Sequence, residues 1–241
     1  MTQSIRPAAT VILMREIDEG GFEIFLVKRS SRSSFGNLYV FPGGKLDLED
    51  SSEDLYEYCE DMNDAEASKK LGIKSDGLSY WIACVRECFE EVGVLLINPN
   101  DLLTQNAEKL NHLRKELNSK KMTFKDICVS ESLRLRAKNI VPCAHWITPT
   151  IEPKRFDTRF FLAKVESSQL ASHDGYELTE SFWIKPSDAL KKLAEGQMNM
   201  IIPTIKNIEK LPVFICDKGA IKVKEIFSKS KKIKEKYGLS L

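Results

Sequence analysis

The sequence predicts one α/β domain with insertions. Two observations carry this reading, and the charge balance narrows the function. Stretches with strand-like alternation and stretches with helical spacing are intermixed along all 241 residues, without long linkers between them. That length is ample for a substantial apolar core. The charges nearly cancel, with 36 Lys and Arg against 35 Asp and Glu, so the net charge of +1 excludes a general nucleic-acid binder.

The elements follow in order. Residues 8–15 read as a strand, Gly20-Gly21 as a turn and residues 22–29 as a second strand, together a hairpin. Residues 30–37 form a Ser- and Arg-rich loop. Leu38-Tyr39-Val40-Phe41 is a short apolar strand stopped by Pro42-Gly43-Gly44. Residues 47–66 hold ten acidic side chains and no Lys or Arg. Within them Leu55, Tyr58, Cys59 and Met62 recur at helical spacing, which suggests an amphipathic helix. Gly72 and Gly77 then punctuate the chain. Ser79 is expected to cap the next helix. Ile82, Val85, Phe89 and Val92 supply that helix with an apolar side.

Residues 94–97 look like a buried strand, and residues 107–117 and 129–138 like helices. Residues 140–147, 158–165 and 181–184 read as strands. Residues 186–195 form a helix with Pro186 in its first turn, as helix starts allow. Residues 200–210 read as a further helix. The stretch 218–236 carries eight lysines among apolar residues and reads as a solvated face rather than a contact for an anionic surface.

Six cysteines are present, none in a C-x-x-C pair, so reduced thiols are expected rather than zinc ligands. No apolar run reaches membrane-spanning length, and no membrane partner is expected. The start lacks a hydrophobic signal region. The expectation is a cytoplasmic protein, peroxisomal or mitochondrial if the source is eukaryotic. Leu239-Ser240-Leu241 resembles a peroxisomal tripeptide only faintly.

Residues 86–94 carry the chemistry. Glu87, Glu90 and Glu91 stand at i, i+3 and i+4, so a helix places all three carboxylates on one face. Like charges so placed repel unless a cation sits among them. A divalent ion with oxygen ligands, most simply Mg²⁺, meets that need. Arg86 can pair with one glutamate, and Gly93 suits a left-handed helix cap. The plain alternative is a solvated acidic helix face.

Gly43-Gly44-Lys45 followed by Arg86-Glu87-x-x-Glu90-Glu91-x-Gly93-Val94 resembles the Nudix hydrolase signature, G-x5-E-x7-R-E-U-x-E-E-x-G-U with U aliphatic. Gly44 matches the first Gly. Asp50 stands where the first Glu is expected, with Glu49 as the alternative, and Cys88 stands at the first U. The two halves are separated by an insertion over about residues 51–77. Such a split box is similar to that of the coenzyme A diphosphatase branch. Phe41-Pro42-Gly43-Gly44, Trp146-Ile147-Thr148-Pro149, Arg155-Phe156-Asp157-Thr158-Arg159-Phe160-Phe161 and Trp183-x-x-Pro186-x-x-Ala189-Leu190 extend the likeness.

The resemblance implies an α/β/α sandwich with a mixed sheet, an acidic insertion within the box and a helical insertion over about residues 101–138. It implies Mg²⁺- or Mn²⁺-dependent hydrolysis of a small nucleoside diphosphate derivative. By branch, that is coenzyme A or acyl-coenzyme A, cut to 3′,5′-ADP and (acyl-)4′-phosphopantetheine. An ADP-ribose- or NADH-type diphosphatase and a catalytically silent nucleotide-sensing or partner-binding module are the alternatives. Glu87, Glu90 and Glu91 would hold the metal. Glu87, Glu91 and Arg86 would be catalytic, with Arg86 orienting a glutamate. The base that takes the proton of water would be Glu91, Glu87 or a loop acid, Glu177 or Glu180. Gly43 and Gly44 would bring backbone close to the metal site. Arg29, Arg32, Arg155 and Arg159 are candidates for phosphate. Arg155, Asp157 and Arg159 share a strand face, as a phosphate clamp or as a salt-bridge ladder. Phe35, Tyr39 and Phe41 are either adenine-stacking or core residues. His112, His145 and His173 receive no role. A homodimer is consistent with the family.

Overall fold

A computed structural model describes residues 4–17, 21–31, 36–97, 106–165, 169, 171–175 and 177–214. Arg32, Phe35, Cys216 and the lysine-rich stretch 218–236 lie outside the described residues.

Seven strands form one mixed sheet: β1 (Ile5–Ile17), β2 (Gly21–Arg29), β3 (Tyr39–Val40), β4 (Gly43–Lys45), β5 (Ile140–Ile147), β6 (Arg155–Lys164) and β7 (Leu178–Ile184). β1 and β6 run parallel from Ile5–Arg155 to Met14–Lys164, and the other pairings are antiparallel. The helices are α1 (Glu53–Tyr56), α2 (Asp64–Leu71), α3 (Gly77–Val92), α4 (Ala107–Asn118), α5 (Phe124–Ser130), α6 (Pro186–Ala194) and α7 (Ile202–Phe214).

Alternation along the strands divides the core in two. Val11, Leu13, Phe25, Val27 and Phe161 face α3, whose Trp81, Ile82, Val85, Phe89 and Val92 are buried. Ile12, Met14, Ile24, Leu26, Phe160 and Leu162 face α6 and α7. The result is the expected α/β/α sandwich. Each large side chain so buried contributes about 1.5–3 kcal/mol. Trp81 packs edge-on against Phe161, centroids 4.8 Å apart, and its Nε1–H donates to the Ile140 carbonyl at 2.8 Å.

Three expectations about elements change. α3 begins at Gly77, not beside Ser79. Its first N–H groups are taken by α2: Asp64 accepts from Leu78 at 2.9 Å and from Asp76 at 3.0 Å, and Ser68 Oγ accepts from Gly77 at 2.9 Å. A cap supplied from another helix replaces the local one. Residues 94–97 are buried but form no strand, and only Ile97 makes an isolated bridge, to Leu135. Residues 129–138 do not form one helix: 129–130 end α5, and 137–138 begin a short 3-10 turn. α5 stops at Ser130, Ser132 adopts a left-handed φ of 50°, and the Leu135 N–H donates to the Tyr58 carbonyl at 2.8 Å.

The acidic insertion is part of the packed structure. Leu55, Cys59, Met62, Ala67 and Leu71 all belong to the core on the α3 side. A fourth expectation also changes: of Leu55, Tyr58, Cys59 and Met62 only Leu55 is helical, in α1, and Cys59 instead bridges to Leu135.

Candidate active site

The site lies where one edge of β1 changes partner. β2 pairs with Met14–Ile17 of β1, whereas β4 pairs with Ala8–Thr10. Between them the Val11 N–H donates to the Pro42 carbonyl at 2.9 Å. The chain leaving β3 is thereby steered off β2 and laid beside α3. Gly43 and Gly44 make that approach possible. Gly43 has φ +148°, and a Cβ there would stand 2.3 Å from the Ala9 carbonyl oxygen. A Cβ on Gly44 would stand 2.4 Å from the Glu87 carboxylate. Across the gap, the Gly43 N–H donates to Glu91 Oε2 at 2.8 Å.

Arg86 joins the two halves of the motif. Its Nε and Nη2 donate to the two oxygens of Asp50, each at 2.8 Å, and Nη2 also donates to the Lys45 carbonyl at 3.0 Å. Nη1 reaches Glu87 at 3.0 Å and Glu90 at 3.3 Å. Asp50 is 1% exposed and Arg86 6%, whereas Glu49 is exposed. Asp50, not Glu49, is therefore the acid that completes the first half. Planar two-point pairing fixes the guanidinium, which in turn orients Glu87 and Glu90.

Burial makes these charges costly. It would lower the Arg86 pKa, but the hydrogen bond to Asp50 and the charges of Glu87, Asp50 and Glu90 outweigh it and hold the value above the ordinary one. Burial lifts Glu87 to about 7; Arg86 opposes the rise, and the charges of Glu90 and Asp50 add to it. Glu90 is raised by burial against the pull of Arg86. Glu91 is raised well above the usual range, by burial and then by Glu87, against Arg29 and the Gly43 N–H. Asp50, Glu87 and Glu90 thus share one guanidinium, and the charge of Glu91 adds to theirs.

That surplus of buried negative charge fits a hard divalent cation such as Mg²⁺ or Mn²⁺ held by Glu87, Glu90 and Glu91. Glu87 and Glu90 are turned toward Arg86, and among the described residues no three acidic, His or Cys side chains converge on one point.

The carboxylates open onto a cleft of about 1640 Å³. Arg29 and Glu177 line it, 3.9 Å apart, and the Glu177 carbonyl accepts from the Ser30 N–H at 2.8 Å. Glu180 is engaged elsewhere, with Lys28 at 2.7 Å and the Tyr39 hydroxyl at 2.6 Å, and neither it nor Tyr39 lines the cleft. Of the two loop acids, only Glu177 is at the site. Phe41 lines the cleft but is 3% exposed, in the core beside α7.

Arg155 and Arg159 are not brought to the cleft. β6 presents Phe156, Thr158 and Phe160 there, and the alternate residues face the other way. Arg159 Nη1 donates to the Leu71 carbonyl at 3.0 Å, and Arg155 Nε to the Thr148 carbonyl at 3.0 Å. Asp157 Oδ1 lies 2.6 Å from His145 Nε2 and 3.7 Å from Arg159 Nε. These residues tie the sheet to the insertion and to the β5–β6 turn, so neither a phosphate clamp nor a continuous Arg-Asp-Arg ladder forms.

With this geometry in place, the comparisons are specific. A family model described as the NUDT19 Nudix domain matches residues 5–211. The chain belongs to the Nudix hydrolase family. It is 28% identical to acyl-coenzyme A diphosphatase NUDT19 of Xenopus laevis over 226 residues, which covers 79% of this chain and 60% of that protein. The human protein of that name is 23% identical over 246 residues, covering 87% of this chain and 65% of its own length. Putative nudix hydrolase 7 of Caenorhabditis elegans is 26% identical over 212 residues, covering 88% and 62%. The chain thus spans about three fifths of the length of these curated relatives. Among solved structures, a NUDIX hydrolase from Alicyclobacillus acidocaldarius shares the fold, with a TM-score of 0.65 at 22% identity over 88% of this chain and 92% of that one.

In this Nudix chain the box is interrupted in sequence and continuous in space. The residues between Asp50 and Arg86 loop out through α1 and α2, and Arg86 still closes on Asp50. Sequence reasoning missed one wall of the cleft: residues 111 and 114–124, from the end of α4 to the start of α5, line it opposite the box. It also missed Arg114, which is 8% exposed and donates to the Glu90 and Glu91 carbonyls at 2.9 and 2.5 Å. No local pattern marks such a residue, because an arginine on an amphipathic helix reads as ordinary surface charge.

Proposed function

We propose that this chain is a Mg²⁺- or Mn²⁺-dependent diphosphatase whose substrate is coenzyme A or an acyl-coenzyme A. The products are 3′,5′-ADP and 4′-phosphopantetheine or its acyl form. One observation carries the reading: Arg86 draws Asp50, Glu87 and Glu90 together beside Gly44, and Glu91 accepts from the Gly43 N–H, all lining one open cleft despite the interrupted box. The coenzyme A part rests on the names of the relatives NUDT19 of frog and human.

The divalent ion, when bound, neutralises diphosphate oxygens and makes phosphorus open to attack by water. Glu87, Glu90 and Glu91 would hold it. Arg86, locked by Asp50, anchors Glu87 and Glu90 beside the first half of the box. Gly43 and Gly44 leave room for substrate oxygens against the backbone and aim the Gly43 N–H at Glu91. Arg29, at the cleft wall, meets a phosphate of the substrate. Glu91, Glu87 or Glu177 accepts the proton of the attacking water, since all three line the cleft.

Initial rates on a panel of coenzyme A, acyl-coenzyme A, ADP-ribose and NADH test the substrate assignment. Higher kcat/KM on the coenzyme A compounds is expected. Preference for ADP-ribose or NADH would overturn the coenzyme A reading while leaving the metal chemistry intact.

A further inference from the structure

A helix leaves its last four carbonyls without partners inside the helix. In α3 these belong to Phe89, Glu90, Glu91 and Val92, the turn that carries two of the three metal-binding glutamates. All four are satisfied, each differently. Phe89 accepts from the Gly93 N–H at 3.0 Å, with Gly93 in the left-handed conformation at φ 73°. Val92 accepts from the Ser172 N–H at 3.0 Å. Glu90 accepts from Arg114 Nε at 2.9 Å and from the Asn118 side-chain amide at 3.2 Å. Glu91 accepts from Arg114 Nη2 at 2.5 Å.

Arg114 therefore closes the two middle carbonyls with one rigid, planar group. It comes from α4, outside both halves of the Nudix box. Its positive charge lies at the negative end of the helix, where a cation is favoured. The two donors it commits go to backbone carbonyls rather than to the glutamate carboxylates, so it fixes the turn through the main chain. Lysine could not reproduce this, because it offers a point charge rather than a fork.

We propose that Arg114 is a positioning residue for the metal site: by clamping the Glu90 and Glu91 carbonyls it sets where those carboxylates stand relative to Glu87 and the Gly43 N–H. This gives the helical insertion a part in the chemistry. The inference rests on the metal-binding reading above.

Mn²⁺ binding to the intact chain, followed by electron paramagnetic resonance without substrate, tests it directly. Wild-type protein is expected to bind Mn²⁺, and Arg114→Met to bind it about tenfold more weakly, with Arg114→Lys between them. In turnover, Arg114→Met should need about tenfold more Mg²⁺ for half-maximal rate, with the KM for the organic substrate unchanged. A merely structural role would lower the thermal midpoint and leave the Mn²⁺ affinity of the folded protein alone. That result, in a folded Arg114→Met or Arg114→Lys, would overturn the inference. If Arg114→Met does not fold, Arg114→Lys carries the comparison, and Mn²⁺ affinity equal to wild type refutes the proposal. Wild-type protein that binds no Mn²⁺ overturns the metal reading itself and the inference with it.

Discussion

Arg86 and Asp50 meet edge to edge across 36 residues of sequence, Nε on Oδ1 and Nη2 on Oδ2 at 2.8 Å each. This pair holds an interrupted motif together. It buries both charges, and the same guanidinium then reaches Glu87 and Glu90. The first half of the box is thus a structural support for the carboxylates on the second half.

Removing one partner of a buried ion pair leaves the other uncompensated and costs about 3–5 kcal/mol. Asp50→Ala should fall at the low end, about 3 kcal/mol, because Arg86 retains Glu87 and Glu90. Urea unfolding checks this. Glu49→Ala, at an exposed neighbour, should change stability by less than about 0.5 kcal/mol. Equal losses at the two positions would contradict the assignment of Asp50.

The two glycines should fail in different ways. Alanine at Gly43 meets backbone, 2.3 Å from the Ala9 oxygen and 2.6 Å from the Thr10 Cα, in a positive-φ conformation. Gly43→Ala should lose at least about 1–3 kcal/mol of stability. At Gly44 the nearest atoms to an added Cβ are the end of the Glu87 side chain, at 2.4–2.5 Å, rather than backbone. Gly44→Ala should stay within about 1 kcal/mol of wild type and lose activity instead. Thermal melts paired with rates at saturating metal separate the two, and a folded, fully active Gly44→Ala would sink the account of that position.

Asp157 gives a pH signature away from the site. Its hydrogen bond with His145 holds its pKa below the usual 3.8, against the effect of burial. A depressed carboxylate stabilises the fold above its unfolded value, and that contribution is lost as pH falls through the folded value. At neutral pH Asp157→Asn should be less stable than wild type by about 1 kcal/mol, since the pair is partly exposed. The gap should close as the pH is taken below 3.8. A gap constant from neutral to acid would show that the pair contributes nothing through ionisation.

Much of the site was legible because its signals are local. Glu87, Glu90 and Glu91 follow from helical spacing, and Gly43-Gly44 from their match to the first half of the Nudix signature. Long-range relations were not legible. Ser79 looked like a cap, but Asp64 and Ser68 supply the α3 start from another helix. Residues 94–97 have the composition of a strand, yet their apolar side chains serve packing among helices. Period-two alternation grouped Arg155, Asp157 and Arg159 on one face of β6. It could not tell which face borders the cleft, because the pattern is symmetric between the two sides of a sheet. Arg114 and the α4–α5 wall come from a segment with no motif at all.

Metal-dependent diphosphate cleavage by the α3 carboxylates is the step on which the proposed function stands. Release of 3′,5′-ADP from coenzyme A, by wild type and Glu91→Gln with Mg²⁺ and with chelator, tests it most directly. Glu91→Gln keeps an oxygen for the Gly43 N–H and should remain folded. Wild type with Mg²⁺ should release 3′,5′-ADP, chelator should abolish it, and Glu91→Gln should reduce it by at least about 100-fold. No metal-dependent release from any coenzyme A derivative, or full activity in Glu91→Gln, would contradict the account.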